Sequence, residues 1–474
     1  MGEQQYDFGM IGLGTMGRNL VFNMADHGFS VSGFDQDSKQ VDNLEKEKGA
    51  RPVHGTRSPQ EFVASLKQPR VIMLLVPAGK IVDAVVAELK PLLSNEDLIM
   101  DCGNSHYTDT DVRTAALAKE NIHFMGVGVS GGEQGARFGP SIMPGGNKSA
   151  YDRVAPMLEA VSAKVNGNEP CVTYLGAGSS GHYVKMVHNG IEYGLMQLIS
   201  ETYQILKEAG GLSNDELYEV YKSWNEGRLQ SFLISITADI FNQKDELTSN
   251  RLIDMILDSA GQKGTGAWTS EDAMALQVPI PVIDAAVTAR NLSGLKDVRV
   301  LAQQKLKGPE GPTKTGKKEL ISLLEQAMYF STIVTYAQGM ALLQRASKEY
   351  NYGLNLAAVA KIWRGGCIIR ASLLEQISNA YTQQTDIANL ILSDVVAAEL
   401  AGSQSGIRKL IGIAAEAGIP VPGIMASLAY YDTYRHGWLP ANLLQAQRDY
   451  FGAHTYKRND REGVFHSHWN QKGE

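Results

Sequence analysis

Short apolar runs separated by helical stretches organise the first third of the chain. Residues 8–11, 31–35, 71–76, 98–101 and 123–127 are mostly Val, Ile, Leu, Met, Phe and Gly, as in strands buried on both faces. Stretches such as 81–93 place apolar residues at helical spacing between them. Strands and helices alternating in this way predict a doubly wound parallel sheet. From about residue 179 the strand pattern stops. Segments rich in Ala, Leu, Ile, Glu and Gln then run to about residue 434 and predict a large all-α region. The linker Asn166-Gly167-Asn168-Glu169-Pro170, the apolar Cys171-Val172-Thr173-Tyr174 and the Gly176-Ala177-Gly178 break mark the boundary. The expected division is an α/β domain over 1–178, a helical domain over 179–435 and a C-terminal tail over 436–474.

The first apolar run leads directly into Gly12-Leu13-Gly14-Thr15-Met16-Gly17 and then into helix-like Arg18-Asn19-Leu20-Val21-Phe22-Asn23. In a strand, glycine turn and helix of this kind, the first glycine permits the tight turn and the second lets the backbone approach a pyrophosphate. The third lets the helix pack closely, with its N-terminus toward the phosphates. Glycine turns of this form also occur without ligands. Asp35 adds weight, because it ends the next strand about 20 residues on, where an acceptor for a ribose hydroxyl belongs. The first domain therefore reads as a Rossmann-like dinucleotide-binding domain.

Ligands of such sheets lie beyond the carboxyl ends of the strands. Those ends carry Val76-Pro77-Ala78, Gly103-Asn104-Ser105 and Ser130-Gly131-Gly132-Glu133. Each alone is an ordinary turn; three at one edge point to a site.

Composition narrows the possibilities. A net charge of −7 argues against a nucleic-acid footprint, so any anionic ligand must be held by local cations. The cysteines, Cys102, Cys171 and Cys367, are odd in number and far apart, which indicates neither a disulfide framework nor a zinc site. The start, Met-Gly-Glu-Gln-Gln-Tyr-Asp, has no basic-then-apolar signal and no acylation signature at Gly2. No apolar run approaches the roughly 20 residues that span a bilayer. A cytoplasmic protein with no membrane contact is expected.

The richest chemistry lies just past the domain boundary. Lys185, His188, Asn189, Glu192 and Tyr193 fall at i, i+3, i+4, i+7 and i+8 of a helical run, which is one stripe of one helix. A packed helix normally fills such a stripe with Leu and Val. This one holds a potential base, a potential acid and hydrogen-bonding groups, facing the first domain across the place where substrates usually bind. Lys185 and Glu192 stand about 10.5 Å apart along the axis, too far for the usual i+4 ion pair. Further on, Gly261-Gln262-Lys263-Gly264-Thr265-Gly266 is a loop able either to grip an anion or simply to join two helices. The tail crowds Arg448, Tyr450, His454 and Tyr456 into a segment without an amphipathic pattern, too aromatic to be left undocked.

Taken in order, Gly-Leu-Gly-Thr-Met-Gly at 12–17, Asp-Cys-Gly-Asn at 101–104, Val-Ser-Gly-Gly-Glu at 129–133, the 185–193 stripe, Gln-Lys-Gly-Thr-Gly-Ala-Trp at 262–268 and Arg-Asp-Tyr-Phe-Gly-Ala-His-Thr-Tyr at 448–456 resemble the 6-phosphogluconate dehydrogenase family over essentially the whole chain. The resemblance implies oxidative decarboxylation of 6-phospho-D-gluconate to D-ribulose 5-phosphate and carbon dioxide, with NADP or NAD reduced and no metal. It implies Lys185 as general base and Glu192 as the acid. Asn104, Ser130, Gly131, Gly132, His188 and Asn189 would hold the sugar acid. Tyr193, Lys263, Arg290 and, from the tail of a partner subunit in a homodimer, Arg448 and His454 would hold its phosphate end. Gly12, Leu13, Gly14, Thr15, Met16, Gly17, Val76, Pro77, Ala78 and Asn104 would line the cofactor site, with Asp35, Gln36 and Asp37 at the ribose.

One departure stands out. Family members commonly carry Asn-Arg-Ser or Asn-Arg-Thr where this chain has Asp35-Gln36-Asp37. The arginine for a 2′-phosphate is missing, so NAD or relaxed specificity is expected. A dehydrogenase of another β-hydroxy acid would leave the long helical region and the Arg448/His454 tail unexplained. A non-catalytic dinucleotide-binding protein would leave the intact Lys185, Glu192, Asn104 and His188 unexplained.

Overall fold

The computed structural model describes residues 5–309 and 315–469; Gly2 and residues 470–474 of the tail lie outside them. The first part of the chain runs β1 (Phe8–Ile11), α1 (Thr15–Asp26), β2 (Val31–Phe34), α2 (Ser38–Glu47), β3 (Val53–Gly55), α3 (Pro59–Ala64), β4 (Val71–Leu74), α4 (Lys80–Leu89), β5 (Leu98–Asp101), α5 (Tyr107–Ala118), β6 (His123–Ser130), α6 (Gly132–Phe138), β7 (Ser141–Gly145), α7 (Lys148–Val161) and the short pair β8 (Lys164–Val165) and β9 (Glu169–Pro170). The sheet order is β3-β2-β1-β4-β5-β6-β7. Strands β1 to β6 are parallel, with Met10 level with Gly33 and Met73. This is the doubly wound α/β architecture the apolar runs predict. Met10, Met73, Met100 and Met125 pack on one face, and Ile11, Ile72, Ile99 and Phe124 on the other, which is why the strands read as continuous apolar blocks.

Three features depart from the sequence reading. Strand β3 has only three residues, too few to show a pattern. Strand β7 runs antiparallel to β6 and contains Pro144, which argues against a strand by sequence. It is the last strand of the sheet, where a missing N–H removes no central ladder bond. The 166–170 linker is instead the turn and second strand of a hairpin, with Asn166 and Gly167 at φ of 47° and 91°.

The helices that follow include α8 (Ser180–Glu208), α9 (Asn214–Asn225), α10 (Phe232–Asn242), α11 (Thr265–Ala275), α12 (Pro281–Ser293), α13 (Lys296–Lys305), α14 (Lys317–Glu349), α15 (Leu356–Ile362), α16 (Leu373–Gln383), α17 (Asp394–Ala417), α18 (Pro422–Tyr434) and α19 (Ala441–Gly452). The long α8 is buried along most of its length and approaches the sheet through glycines. A Cβ on Gly181 would lie 2.2 Å from the Gly126 carbonyl oxygen, and one on Gly128 would lie 2.5 Å from Lys185 Cβ. Side chains at those positions would push the helix away from β6.

The chain forms two compact units, residues 1–427 and 428–474. In the second, the tail that shows no amphipathic pattern contains α19, and Tyr456 pairs with Phe465 as an antiparallel bridge. Buried Asp449 closes this unit on itself. Its carboxylate accepts from Thr455 N, Ser467 N, His466 Nδ1 and Trp469 Nε1 at 2.9 to 3.0 Å. Burial would raise this carboxyl, but those bonds hold it down at about 2. No helix among the described residues is long and apolar enough to cross a membrane.

Candidate active site

The carboxyl ends of β1, β2 and β4 open onto a cleft of about 590 Å³ lined by Gly12, Gly14, Asp35, Gln36, Asp37, Val76 and Pro77, among others. The three glycines have separate jobs. Gly12 has φ +95° and a Cβ there would sit 2.4 Å from the Leu75 carbonyl oxygen, so it makes the turn. A Cβ on Gly14 would meet nothing within 4 Å, which leaves room for a ligand against the backbone. One on Gly17 would collide with the Gly12 carbonyl oxygen at 1.8 Å, so it lets α1 seat closely. Leu13 precedes Gly14 in the turn, and Thr15 and Met16 open α1. Ala78 follows Pro77 before α4.

Asp35 Oδ2 accepts from Leu13 N at 2.7 Å and Oδ1 from Asp37 N at 2.9 Å, which fixes its carboxylate at the end of β2. Asp37 caps α2 by accepting from Lys39 N at 3.1 Å. Nearby arginines are already committed: Arg18 to Glu47, Arg51 to Asp26 and Arg57 to Asp42. Lys80 also lines this cleft.

Beyond β5, exposed Asn104 is presented by a loop built on buried Asp101, which accepts from Gly103 N at 3.0 Å and from Ser105 Oγ at 2.6 Å. Arg113 lies 3.6 Å from the same carboxylate. His182 Nε2 bonds the Asp101 carbonyl at 3.0 Å, tying α8 to this loop. Beyond β6, Gly131 has φ +113° and a Cβ there would meet the Gly366 carbonyl oxygen at 2.4 Å. Gly132 is open to solvent.

The stripe on α8 is assembled against these strand ends. Lys185 Nζ donates to Asn189 Oδ1 at 2.8 Å, and Asn189 Nδ2 donates to Thr265 Oγ1 at 3.3 Å. His188 is fully buried, edge-on to Trp363, with Nδ1 3.0 Å from Asn189 Oδ1 and Nε2 3.4 Å from Ser130 Oγ. Its Nδ1 also stands 4.0 Å from Glu192 Oε2. Burial first, then the Lys185 charge, holds His188 well below its ordinary pKa, so the ring is neutral. The Asn189 Oδ1 acceptor beside Nδ1 favours the tautomer protonated there, which leaves Nε2 to accept from Ser130.

Burial lowers the Lys185 pKa against the opposing pull of Glu192. Burial raises the Glu192 pKa against Lys185 and Arg290. One helix face thus holds an amine biased toward its neutral form and a carboxyl biased toward its protonated form.

Tyr193 is buried, with the Arg290 guanidinium 3.7 Å from its ring centroid and Gly266 against the ring, where a Cβ would come within 2.5 Å. Gln262, beside exposed Lys263, donates to Asn291 Oδ1 at 2.6 Å, which fastens the Lys263 loop to the end of α12 that carries Arg290. Arg448 and His454 are exposed on the second unit, where Arg448 donates to Gln445 at 3.1 Å and His454 stands edge-on to Phe451. Sequence reasoning gave no individual role to Asp101 or Thr265, although both stand in motifs it used, and missed Trp363 and Gly366. The pair Gly365-Gly366 after Trp363-Arg364, with Gly366 at φ +66°, was the available signal for the last two.

A dinucleotide cleft at the carboxyl edge of a doubly wound sheet, with a helix carrying a lysine and a glutamate shifted in opposite directions, is the arrangement of an NAD(P)-dependent dehydrogenase. Family models agree in detail: residues 7–176 match the NAD binding domain of 6-phosphogluconate dehydrogenase and residues 181–469 match the 6-phosphogluconate dehydrogenase C-terminal domain. The chain belongs to the 6-phosphogluconate dehydrogenase family. It is 52% identical over 470 residues to the NADP(+)-dependent, decarboxylating 6-phosphogluconate dehydrogenase of Bacillus subtilis, covering 99% of this chain and 100% of the relative. A decarboxylating 6-phosphogluconate dehydrogenase of Shigella flexneri is 49% identical over 469 residues, at 99% and 100% coverage. Among solved structures, Plasmodium falciparum 6-phosphogluconate dehydrogenase, described apo and with NADP+ or 6-phosphogluconate, superposes with a TM-score of 0.95 at 44% identity. That match covers 98% of this chain and 100% of the other.

Proposed function

We propose that this chain oxidatively decarboxylates 6-phospho-D-gluconate to D-ribulose 5-phosphate and carbon dioxide while reducing a nicotinamide dinucleotide. The observation that carries the reading is the opposed pair on α8, Lys185 lowered and Glu192 raised by burial. When bound, the nicotinamide ring supplies the hydride acceptor. Neutral Lys185 takes the proton of the 3-hydroxyl as hydride leaves C3, which gives a 3-keto acid. The carbon–carboxylate bond then breaks, its electrons flow into the C3 carbonyl, and the Lys185 ammonium returns a proton to that oxygen. Protonated Glu192 delivers a proton to the carbon that lost carbon dioxide, while Lys185 takes back the enediol proton. No step needs a metal ion.

Asn104, Ser130, Gly131, Gly132, His188 and Asn189 hold the sugar acid in this reading. Tyr193, Lys263 and Arg290 hold its phosphate, with Arg448 and His454 contributed by the tail of a second subunit in a homodimer. Residues 1–178 serve as the dinucleotide domain, 179–435 as the substrate and dimerisation domain, and 436–474 as the exchanged tail. The three buried, unpaired cysteines fit a reducing cytoplasm. For the cofactor we infer a preference for NAD or relaxed specificity. Asp35 and Asp37 line the cleft at the end of β2, where a ribose is expected, and the neighbouring arginines are committed to other carboxylates.

The decisive assay supplies purified protein with 6-phosphogluconate and each cofactor, and follows reduced nicotinamide together with released carbon dioxide. Both products in equal amounts are expected. Failure with both cofactors overturns the reading. A preference for NADP of about a hundredfold in kcat/KM overturns the cofactor assignment alone.

A further inference from the structure

The mechanism leaves one buried polar cluster unused. Asp272, buried on α11, accepts from the Tyr107 hydroxyl at 2.6 Å and the Tyr350 hydroxyl at 2.8 Å on Oδ1, and from the Tyr183 hydroxyl on Oδ2. The three rings pack on one another with centroids 5.0, 5.5 and 5.7 Å apart. Burial first, then the hydrogen bond to Asp272 for Tyr107 and the Asp272 charge for Tyr183, pushes both hydroxyls far above their ordinary range, so both remain donors.

Two of the donors come from parts of the site that must be held in register. Tyr107 opens α5 three residues after Asn104. Tyr183 lies two residues before Lys185. Asp272 belongs to the helix that starts just after Lys263 and Gly264, and that helix is fixed to α8 where Thr269 Oγ1 donates to the Met186 carbonyl at 3.0 Å. His106 stands edge-on to Trp268 of the same helix, with centroids 5.0 Å apart. One carboxylate therefore draws the Asn104 loop, the base helix and the helix behind the Lys263 loop to a common point. Hydrogen bonds to an ionised acceptor are short and directional, so they fix distance as well as contact.

Resting on the reaction proposed above, we propose that Asp272 is a positioning residue for the hydride step. With Tyr107, Tyr183 and Tyr350 it sets the spacing between the loop carrying Asn104 and the helix carrying Lys185. Hydride transfer is steeply sensitive to that spacing, because displacements of about 1 Å cost roughly a hundredfold in rate.

The test uses the full-length enzyme and 6-phosphogluconate deuterated at C3. In Asp272→Asn the amide nitrogen cannot accept the Tyr183 proton, so that bond is lost or reversed while the side-chain shape is kept. The expected result is a kcat lower by roughly ten- to a hundredfold, a KM for 6-phosphogluconate within about threefold of the parent, and a larger deuterium isotope effect on kcat. Tyr183→Phe gives the same signature at smaller size. Tyr352→Phe leaves kcat and the isotope effect unchanged: its ring packs 5.5 Å from Tyr183, but its hydroxyl meets Ser179 rather than Asp272. An unchanged isotope effect in both Asp272→Asn and Tyr183→Phe overturns the proposal, as does an equal effect from Tyr352→Phe. A parent protein that does not oxidise 6-phosphogluconate instead defeats the underlying reaction, and the two failures are told apart by the parent assay.

Discussion

Two carboxylates of the proposed site sit in opposite environments. Glu192 is withdrawn from water and biased toward its acid form, whereas Asp35 is fixed as an acceptor by two backbone N–H groups. The proposed reaction uses Lys185 neutral and Glu192 protonated, so activity should rise with pH as the amine loses its proton and fall as the carboxyl loses its own. Glu192→Gln should therefore abolish the alkaline fall in kcat and lower its maximum by about 10²-fold or more, which a pH–rate profile would reveal. A retained alkaline limb would assign that limb to another group. At the cofactor, Asp35→Asn combined with Gln36→Arg should move selectivity toward NADP, measured as the ratio of kcat/KM values. An unchanged ratio would locate the discrimination elsewhere in the cleft.

Among the elements, α8 has the most to reconcile: a polar stripe, a close approach to β6, and a buried acid near its far end. That acid is Glu201, whose carboxylate accepts from Gly423 N at 2.7 Å and Ile424 N at 2.9 Å and so caps the start of α18. Burial nevertheless raises its pKa from 4.5 to about 6 against those bonds. The folded protein thus keeps a proton that the unfolded chain has already released. The resulting stability is fully present below pH 4.5 and lost as pH rises through about 6, an effect on the order of 2 kcal/mol. The stability difference between the parent and Glu201→Gln, measured by denaturant unfolding across that window, should shrink by this amount with rising pH. A flat difference would mean that Glu201 titrates alike in both states. The stripe itself was legible because five polar residues at helical spacing violate the rule for a packed face. Glu201 was not, since one glutamate in a long helix reads as solvent-facing until the element that buries it is in place.

At the scale of the whole molecule, the parallel sheet was readable from apolar blocks that must be covered on both faces. Its edges were not. Val53-His54-Gly55 is too short to carry a period, and Pro144 belongs to a strand only because that strand is the last. The glycine turn could be assigned glycine by glycine, yet Asp101 and Asp272 needed tertiary context, because buried carboxylates reveal themselves only through the donors that surround them. Assembly has its own test. If Arg448 serves the neighbouring subunit, mixing subunits of inactive Lys185→Met with those of Arg448→Ala creates one site with both residues intact, and activity exceeds that of either parent preparation. No recovery on mixing would place Arg448 in its own subunit's site.

The tail unit closed around Asp449 bears on how such an assembly would form. A segment that had to order itself at the moment of docking would lose conformational entropy of roughly 1–2 kcal/mol for each residue fixed. Here the Asp449 carboxylate gathers Thr455, His466, Ser467 and Trp469 within the tail unit itself, so the loop bearing His454 is held by bonds that need no second subunit. Association would then resemble the docking of a preformed module rather than coupled folding and binding.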